Sequence, residues 1–335
     1  MSARVSVIPV FVPHLGCPHA CVFCDQRRIS GQSRPATALD VETVIRQSAA
    51  FPHHGEKRQL AFYGGSFTAI PVQQQIALLE AAYAAVLRGE IDSIRLSTRP
   101  DAIDPETLER LRAYGVQTIE LGAQSMDEEV LRLSGRGHTA EDVRLASRLV
   151  TGAGFELILQ MMTGLPGDSA EKSLSTAREL IALHPQGVRI YPTVIVRDTE
   201  LCELWKRGEY REHTVEEAVE LCSRLLPLFE AASIPVIRLG LNPTEELSSG
   251  EALGGAYHPA FGELVKSRVL LHQAESLLQG IAPGSSVSIG IEPRQLSQMI
   301  GQHGENRQKL IASFSLASLS VLPRKDCPSP RILSC

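Results

Sequence analysis

Seven short apolar runs, each leading through a polar turn into a helix-spaced stretch, fill the first two-thirds of the 335-residue chain. The runs are "VSVIPVFV", "RQLAFYGG", "SIRLSTRP", "TIELGAQS", "FELILQMMTG", "VRIYPTVIV" and "IPVIRLGL". Between them lie amphipathic stretches at 72–88, 105–114, 141–153, 173–183 and 215–232. Near-continuous apolar strands alternating with helices require a parallel sheet covered by helices. Six or seven such units predict an α/β fold, a partial or closed β/α (TIM-like) barrel, with a doubly wound sheet as the alternative. The hydrophobic fraction of 43% and charged fraction of 21% are those of a soluble globular protein. The opening run is too short, and too unlike a signal peptide in its flanks, to enter a membrane.

In a barrel, chemistry collects at the C-terminal ends of the strands. The unusual residues of this chain fall there: a cysteine-rich loop after the first run, "GGSFT" after the second, "STRPD" after the third, "GAQS" after the fourth. The loop "GCPHACVFCDQRR" spaces Cys17, Cys21 and Cys24 as C-x3-C-x2-C. Three thiolates leave one coordination position open. That suits a 4Fe–4S cluster with a vacant iron, or a zinc site completed by His14 or His19. Seven cysteines, three of them crowded, fit a reducing compartment, the cytoplasm, better than a disulfide framework.

The cysteine spacing, with Phe23 before the last ligand, resembles the signature of the radical SAM superfamily. The resemblance implies a 4Fe–4S cluster on Cys17, Cys21 and Cys24 whose open iron chelates S-adenosylmethionine. Reductive cleavage of that cofactor yields a 5′-deoxyadenosyl radical. An electron donor of the flavodoxin or ferredoxin type is then needed. "YGGSFT" is similar to the family's glycine motif, which makes Gly64 and Gly65 cofactor contacts. "IELGAQSMDEEVLRLSGRGHT" likewise implies that Gln124 meets the ribose and Arg136 the carboxylate of the cofactor. "QMMTGLPGDS" adds Gln160 to this group. Ser97 departs from the pattern, since many relatives carry an acid there.

"YGVQTIELGAQS", "SGRGHT", "GFELILQMMTGLPG" and "RIYPTVIVRDTELCELWKRGEY" together resemble the catalytic subunit of elongator, over residues 5–240. That resemblance implies RNA, a tRNA base, as substrate, and places the candidate catalytic residues Tyr191, Arg197 and Thr199 near it. No segment after Leu241 has the pattern of elongator's acetyltransferase domain, so the group transferred is not implied. "GAQS…GRGHT" is shared with oxygen-independent coproporphyrinogen oxidase, making a porphyrin precursor the alternative substrate. A metal-stabilised RNA-binding protein without turnover is the non-enzymatic alternative.

The barrel is expected to span 1–241, with a connecting loop and helix at 242–284. The order strand, helix, G-x-x-G, helix, strand at 285–325 is that of a KH-like module. Gly301, Gly304, Arg307 and Lys309 would there meet an RNA backbone. From Ile291 onward six basic residues (Arg294, Arg307, Lys309, Arg324, Lys325, Arg331) face three acidic ones (Glu292, Glu305, Asp326), in a chain of net charge −5. The competing reading is a helical hairpin whose glycines only make the turn. Residues 326–335 are expected to form a disordered tail. Cys202 and Cys222 read as small packed hydrophobes, and His53 and His54 as solvent-facing.

Overall fold

The computed structural model describes residues 5–12, 21–24, 34–50, 56–241 and 250–335. Seven strands form one parallel sheet: β1 (Val5–Val12), β2 (Lys57–Gly64), β3 (Ser93–Thr98), β4 (Val116–Gln124), β5 (Glu156–Thr163), β6 (Gly187–Pro192) and β8 (Val236–Leu239). Their spatial order follows the sequence order. A doubly wound sheet would reverse direction at a switch point, so that alternative is excluded. β1 and β8 remain the two edges, and the sheet is a curled half-barrel, not a closed one.

Helices α1 (Ala38–Ser48), α2 (Val72–Leu87), α3 (Pro105–Ala113), α4 (Glu128–Leu133), α5 (Ala140–Gly152), α6 (Ala170–Ala182), α7 (Glu200–Lys206) and α8 (Val215–Ala231) follow the strands. Several begin where the sequence supplies a cap. Thr37–Asp40, Thr139–Asp142 and Thr214–Glu217 are reciprocal capping boxes that satisfy the first free amides of α1, α5 and α8.

Side chains alternate between the two faces of the sheet with period two. Ile8, Val10, Leu60, Phe62, Leu96, Ile119, Leu121, Leu159, Val188 and Ile190 point outward under the helices and build the main core. The opposite face carries Phe11, Tyr63, Ser97, Gln160, Arg189 and Tyr191, all half-buried or exposed. A complete TIM barrel fills its interior with apolar layers. Here the inner wall of the trough carries polar and charged side chains instead, Glu120, Arg95 and Arg189 among them.

Strand β7 (Val194–Val196) pairs antiparallel with β9 (Ala252–Gly255), adding a ribbon inside the stretch expected to be a plain connection. Helix α9 (Phe261–Leu277) follows. The C-terminal unit comprises β10 (Ser286–Ile291), α10 (Leu296–Ile300), α11 (Glu305–Ser313) and β11 (Ser318–Pro323), with β10 parallel to β11. The last residues depart from the expected disordered tail. Arg331–Ser334 form β12, antiparallel to β10, because Ile332 finds a place against the small core and Cys327 is buried. The two cores share one helix: Phe261, Val265 and Val269 belong to the barrel, and Leu270, Leu271, Ala274 and Leu278 to the C-terminal unit. Among the described residues no helix is long and apolar enough to cross a membrane.

Candidate active site

Cys21 and Cys24 sit in a tight turn, closed by Cys24 N–H donating to the Cys21 carbonyl at 3.0 Å. Cys17, His14 and His19 lie outside the described residues, as do His53 and His54. Two backbone bonds clamp the turn. Val22 N–H donates to the Ser134 carbonyl at 3.1 Å, and Leu201 N–H donates to the Val22 carbonyl at 2.7 Å. Val22 is buried with Ile195, Leu201, Cys202 and Tyr210, and Phe23 packs on the same cluster. The segment "TVIVRDTELCELWKRGEY" thus builds the seat of the cysteine loop.

Gly64 closes β2 at φ +106°, and a Cβ there would lie 2.9 Å from the Val12 carbonyl oxygen. Only glycine fits that approach between neighbouring strand ends. Gly65 N–H donates to the same carbonyl at 2.9 Å. The loops after β2 and β3 are then laced together: Thr98 Oγ1 lies 2.8 Å from Ser66 Oγ and 2.6 Å from Thr68 Oγ1.

At the end of β4 the backbone is strained. Gln124 adopts φ +65°, the register with β5 shifts between Gly122 and Gln124, and the buried Gln124 Oε1 has no partner among the described residues. Left-handed backbone on a non-glycine residue persists only where its surroundings impose it. Arg136 supplies part of that imposition by donating from Nη2 to the Gly122 carbonyl at 2.7 Å. Its Nη1 lies 3.1 Å from Cys21 Sγ, while its buried Nε has no partner among the described residues. Arg99 in turn donates to the Arg136 carbonyl and to Asp101 Oδ1, the latter at 2.9 Å. His138 Nε2 contacts the Ala123 carbonyl at 3.2 Å. Burial, reinforced by the charges of Arg136 and Arg99, pushes the His138 pKa down to about 4, so the ring is neutral.

Below this rim, Glu120 joins four strands of the trough. It accepts from Arg95 Nη1 at 2.8 Å, Arg189 Nη2 at 2.9 Å, Tyr63 Oη at 3.2 Å and Ser97 Oγ at 3.4 Å. Burial, then the Glu120 charge, raises the Tyr63 pKa to about 12. Glu120 holds the Arg189 guanidinium charged against its burial. The sequence reading passed over this network. Its signal was one charged residue inside each of three apolar strands ("SIRLS", "TIELG", "VRIYP"), spaced to face inward.

The remaining expected site residues separate. Gln160 lies on the inner wall beside Gly122 and Arg189 in register, with no hydrogen-bond partner among the described residues. Tyr191 also faces the trough, 3.4 Å from Arg189 Nη1. Thr199 is buried and committed elsewhere, donating to the Val196 carbonyl at 2.7 Å and capping α7. Arg197 is exposed, and its backbone N–H donates to the Glu251 carbonyl at 3.1 Å. In the C-terminal turn Gly301 (φ +81°) faces Asn306, whose N would lie 2.8 Å from an added Cβ, whereas Gly304 (φ +80°) borders open space. Arg307 Nε donates to the Leu319 carbonyl at 2.7 Å, and Lys309 lies 3.8 Å from Glu275. Neither cation extends from the turn itself.

The chain matches the description of the radical SAM superfamily over residues 11–180, just over half its length. It matches the Radical_SAM C-terminal domain over 185–270. It is 32% identical over 274 residues to human Elongator complex protein 3, covering 68% of this chain and 50% of that protein. To the tRNA uridine(34) acetyltransferase of Methanocaldococcus infernus it is 29% identical over 259 residues, covering 65% of this chain and 48% of the relative. It therefore spans about half the length of these relatives, across their radical SAM portion. Among solved structures, the archaeal Elp3 of Methanocaldococcus infernus superposes with TM-score 0.65 at 23% identity, over 82% of this chain and 64% of that one. Coproporphyrinogen III oxidase from Escherichia coli gives 0.50 at 19% identity, over 69% and 53%. Both show the fold. With sequence match and strand order in agreement, the chain belongs to the radical SAM superfamily and is one of its enzymes.

Proposed function

We propose that the chain uses a 4Fe–4S cluster and S-adenosylmethionine to modify a base in RNA, with tRNA as the substrate class. The observation that carries the cofactor reading is the set of unpaired buried groups at the strand ends. Among the described residues Gln124 Oε1 and Arg136 Nε have no partner, and Gly122 leaves room between them, since a Cβ there would stand 3.0 Å from Gln124 Nε2 and 3.4 Å from Arg136 Nη2. Buried polar atoms without partners are rare in native proteins, and a bound polar group would satisfy these two. The residues present therefore fit the cofactor. Cys17, Cys21 and Cys24 would hold the cluster, Gly64 and Gly65 the amino group, Gln124 and Gln160 the nucleoside, and Arg136 the carboxylate.

Bound there, the cluster and its cofactor would supply an electron and a hydrogen-abstracting radical. The chain's own residues orient and enclose. His138 stays neutral and pins the Gln124 end of β4 through the Ala123 carbonyl. The Val22 cluster closes one side of the cysteine turn to water. Tyr191, on the trough wall, is the candidate catalytic residue best placed to touch the substrate. Thr199 and Arg197 support the cysteine seat and the β7–β9 ribbon instead. The RNA reading rests on relatives named for tRNA uridine modification and on the basic C-terminal unit.

Anaerobic reconstitution with iron and sulfide tests the first half. A brown protein that releases 5′-deoxyadenosine with dithionite is expected, and a colourless protein holding one zinc would end the reading. Comparing modified nucleosides in tRNA from wild-type and deletion strains tests the second. An unchanged profile with altered porphyrins would move the substrate to the porphyrin class.

A further inference from the structure

The inner wall of the half-barrel reverses the charge of the molecule. Its inward positions carry Lys57, Arg95, Arg189 and Arg238 against Glu120 and Glu156, in a chain of net charge −5. A cleft of one sign with low-dielectric walls focuses its field on a ligand of the other sign.

The hydrogen-bonding inventory narrows the ligand further. Glu120 is 2% exposed, and both of its oxygens already accept bonds. It is the one carboxylate at mid-height of the trough among the described residues. The groups around it are donors. The Arg189 and Arg95 side chains keep 14% and 11% of their surface exposed. Their Nε–H groups are buried and unpaired. The Tyr191 oxygen already faces Arg189 Nη1, which leaves its proton to donate. A ligand that brings acceptors meets donors here; one that brings an amino group meets no free carboxylate. The Gln160 side chain, without a partner among the described residues and next to Arg189 in register, can accept a ring N–H between two carbonyls.

We infer that Arg189 is a specificity-determining residue of the trough, selecting a substrate ring whose edge presents carbonyl oxygens over one presenting an amino group. Glu120 is its positioning residue. For the RNA reading, on which this inference rests, the selected ring is uracil and the rejected one cytosine, which differ in a carbonyl against an amino group. Glu120 fixes the guanidinium fork through Nη2, and the Tyr63 ring lies 5.5 Å beneath its carbon. The fork is therefore held in one orientation, with Nη2 engaged by Glu120 and Tyr63 and Nη1 donating to the Tyr191 oxygen. Sites built to hydrogen-bond one partner reject its mismatched analogue strongly, because a buried donor is left without an acceptor.

The test is calorimetric titration of the reconstituted holoenzyme, with S-adenosylmethionine present, by uridine 5′-monophosphate, cytidine 5′-monophosphate and ribose 5-phosphate. The uridine nucleotide is expected to bind about tenfold or more tightly than the cytidine nucleotide, with ribose 5-phosphate weakest. Arg189→Gln should bring the two nucleotides to within about twofold, and Arg189→Lys should retain part of the preference. Glu120→Gln should narrow it in the same direction while Arg189 is still present, a loss that charge alone would not produce. Melting temperatures of each variant identify any that fail to fold, and Arg189→Lys then carries the test. Equal affinity for the two nucleotides overturns the inference, as does a preference that survives Arg189→Gln. Ribose 5-phosphate binding as tightly as the uridine nucleotide, or no nucleotide binding at all, overturns it too. Binding of whole tRNA by the same preparations separates the two levels. Bound tRNA without a uracil preference removes the subsite and leaves the RNA reading standing, whereas unbound tRNA removes the RNA reading itself.

Discussion

The Arg136 guanidinium lies 3.1 Å from Cys21 Sγ while its other terminal nitrogen holds the Gly122 carbonyl at 2.7 Å. One side chain thus links the cysteine turn to the strained end of β4. Arg136→Gln should leave the sheet folded but weaken S-adenosylmethionine binding by about tenfold or more, the worth of a lost charge-assisted pair. Equilibrium binding to the reconstituted protein measures it. Unchanged affinity would remove Arg136 from the cofactor site.

Glu120→Ala should be among the most damaging changes in the chain. It leaves the guanidinium groups of Arg95 and Arg189 half-buried together without their shared carboxylate. Breaking a buried pair from one side costs about 3–5 kcal/mol. Urea unfolding should show that loss, and a midpoint within experimental error of wild type would refute the network.

His138 makes stability depend on pH. Its ring titrates near 6.5 when unfolded and is pushed down to about 4 when folded. Between those values the unfolded chain binds the proton and the folded one does not, so stability falls as pH drops from 6.5 toward 4. The loss amounts to about 3 kcal/mol. His138→Gln should flatten that slope in denaturant titrations at several pH values. Arg99, Arg136 and Asp101 face the same ring, and an unaltered slope would assign it elsewhere.

The two glycines of the C-terminal turn should behave differently. Gly301→Asp drives its Cβ against Asn306, whose side chain ties the turn to Ser267 Oγ at 2.9 Å, and should destabilise the unit. Gly304→Asp enters open space at a positive φ, costing about 1 kcal/mol of backbone strain. It adds a negative charge at the face proposed for RNA. Reduced RNA affinity with intact S-adenosylmethionine cleavage is expected for Gly304→Asp alone. Full RNA affinity in that variant would make the turn a packing device.

The strands and most helices were legible because apolar periodicity reports burial directly. The outer residues of β2, such as Leu60 and Phe62, sit where alternation puts them. The motif residues Gly64 and Gln124 stand at strand ends, where the fold forces unusual backbone. The roles of Thr199 and Arg307 were not legible, since a hydroxyl or guanidinium reads the same whether it meets a ligand or a neighbouring carbonyl. Glu120 was missed for a related reason. Its meaning depends on Arg95 and Arg189, which lie 25 and 69 residues away in sequence and become neighbours only when the sheet curls.

Helix α9 carries a consequence for any attempt to divide the chain. Because Val269 packs in one core and Leu270 in the next, neither core is complete without the same seventeen residues. Cutting before residue 285 would strip the cover from Leu270, Leu271, Ala274 and Leu278, and cutting before 261 would strip Phe261 and Val265 from the barrel. The two halves should therefore melt as one cooperative unit, and the angle between turn and trough is set by a single rigid axle.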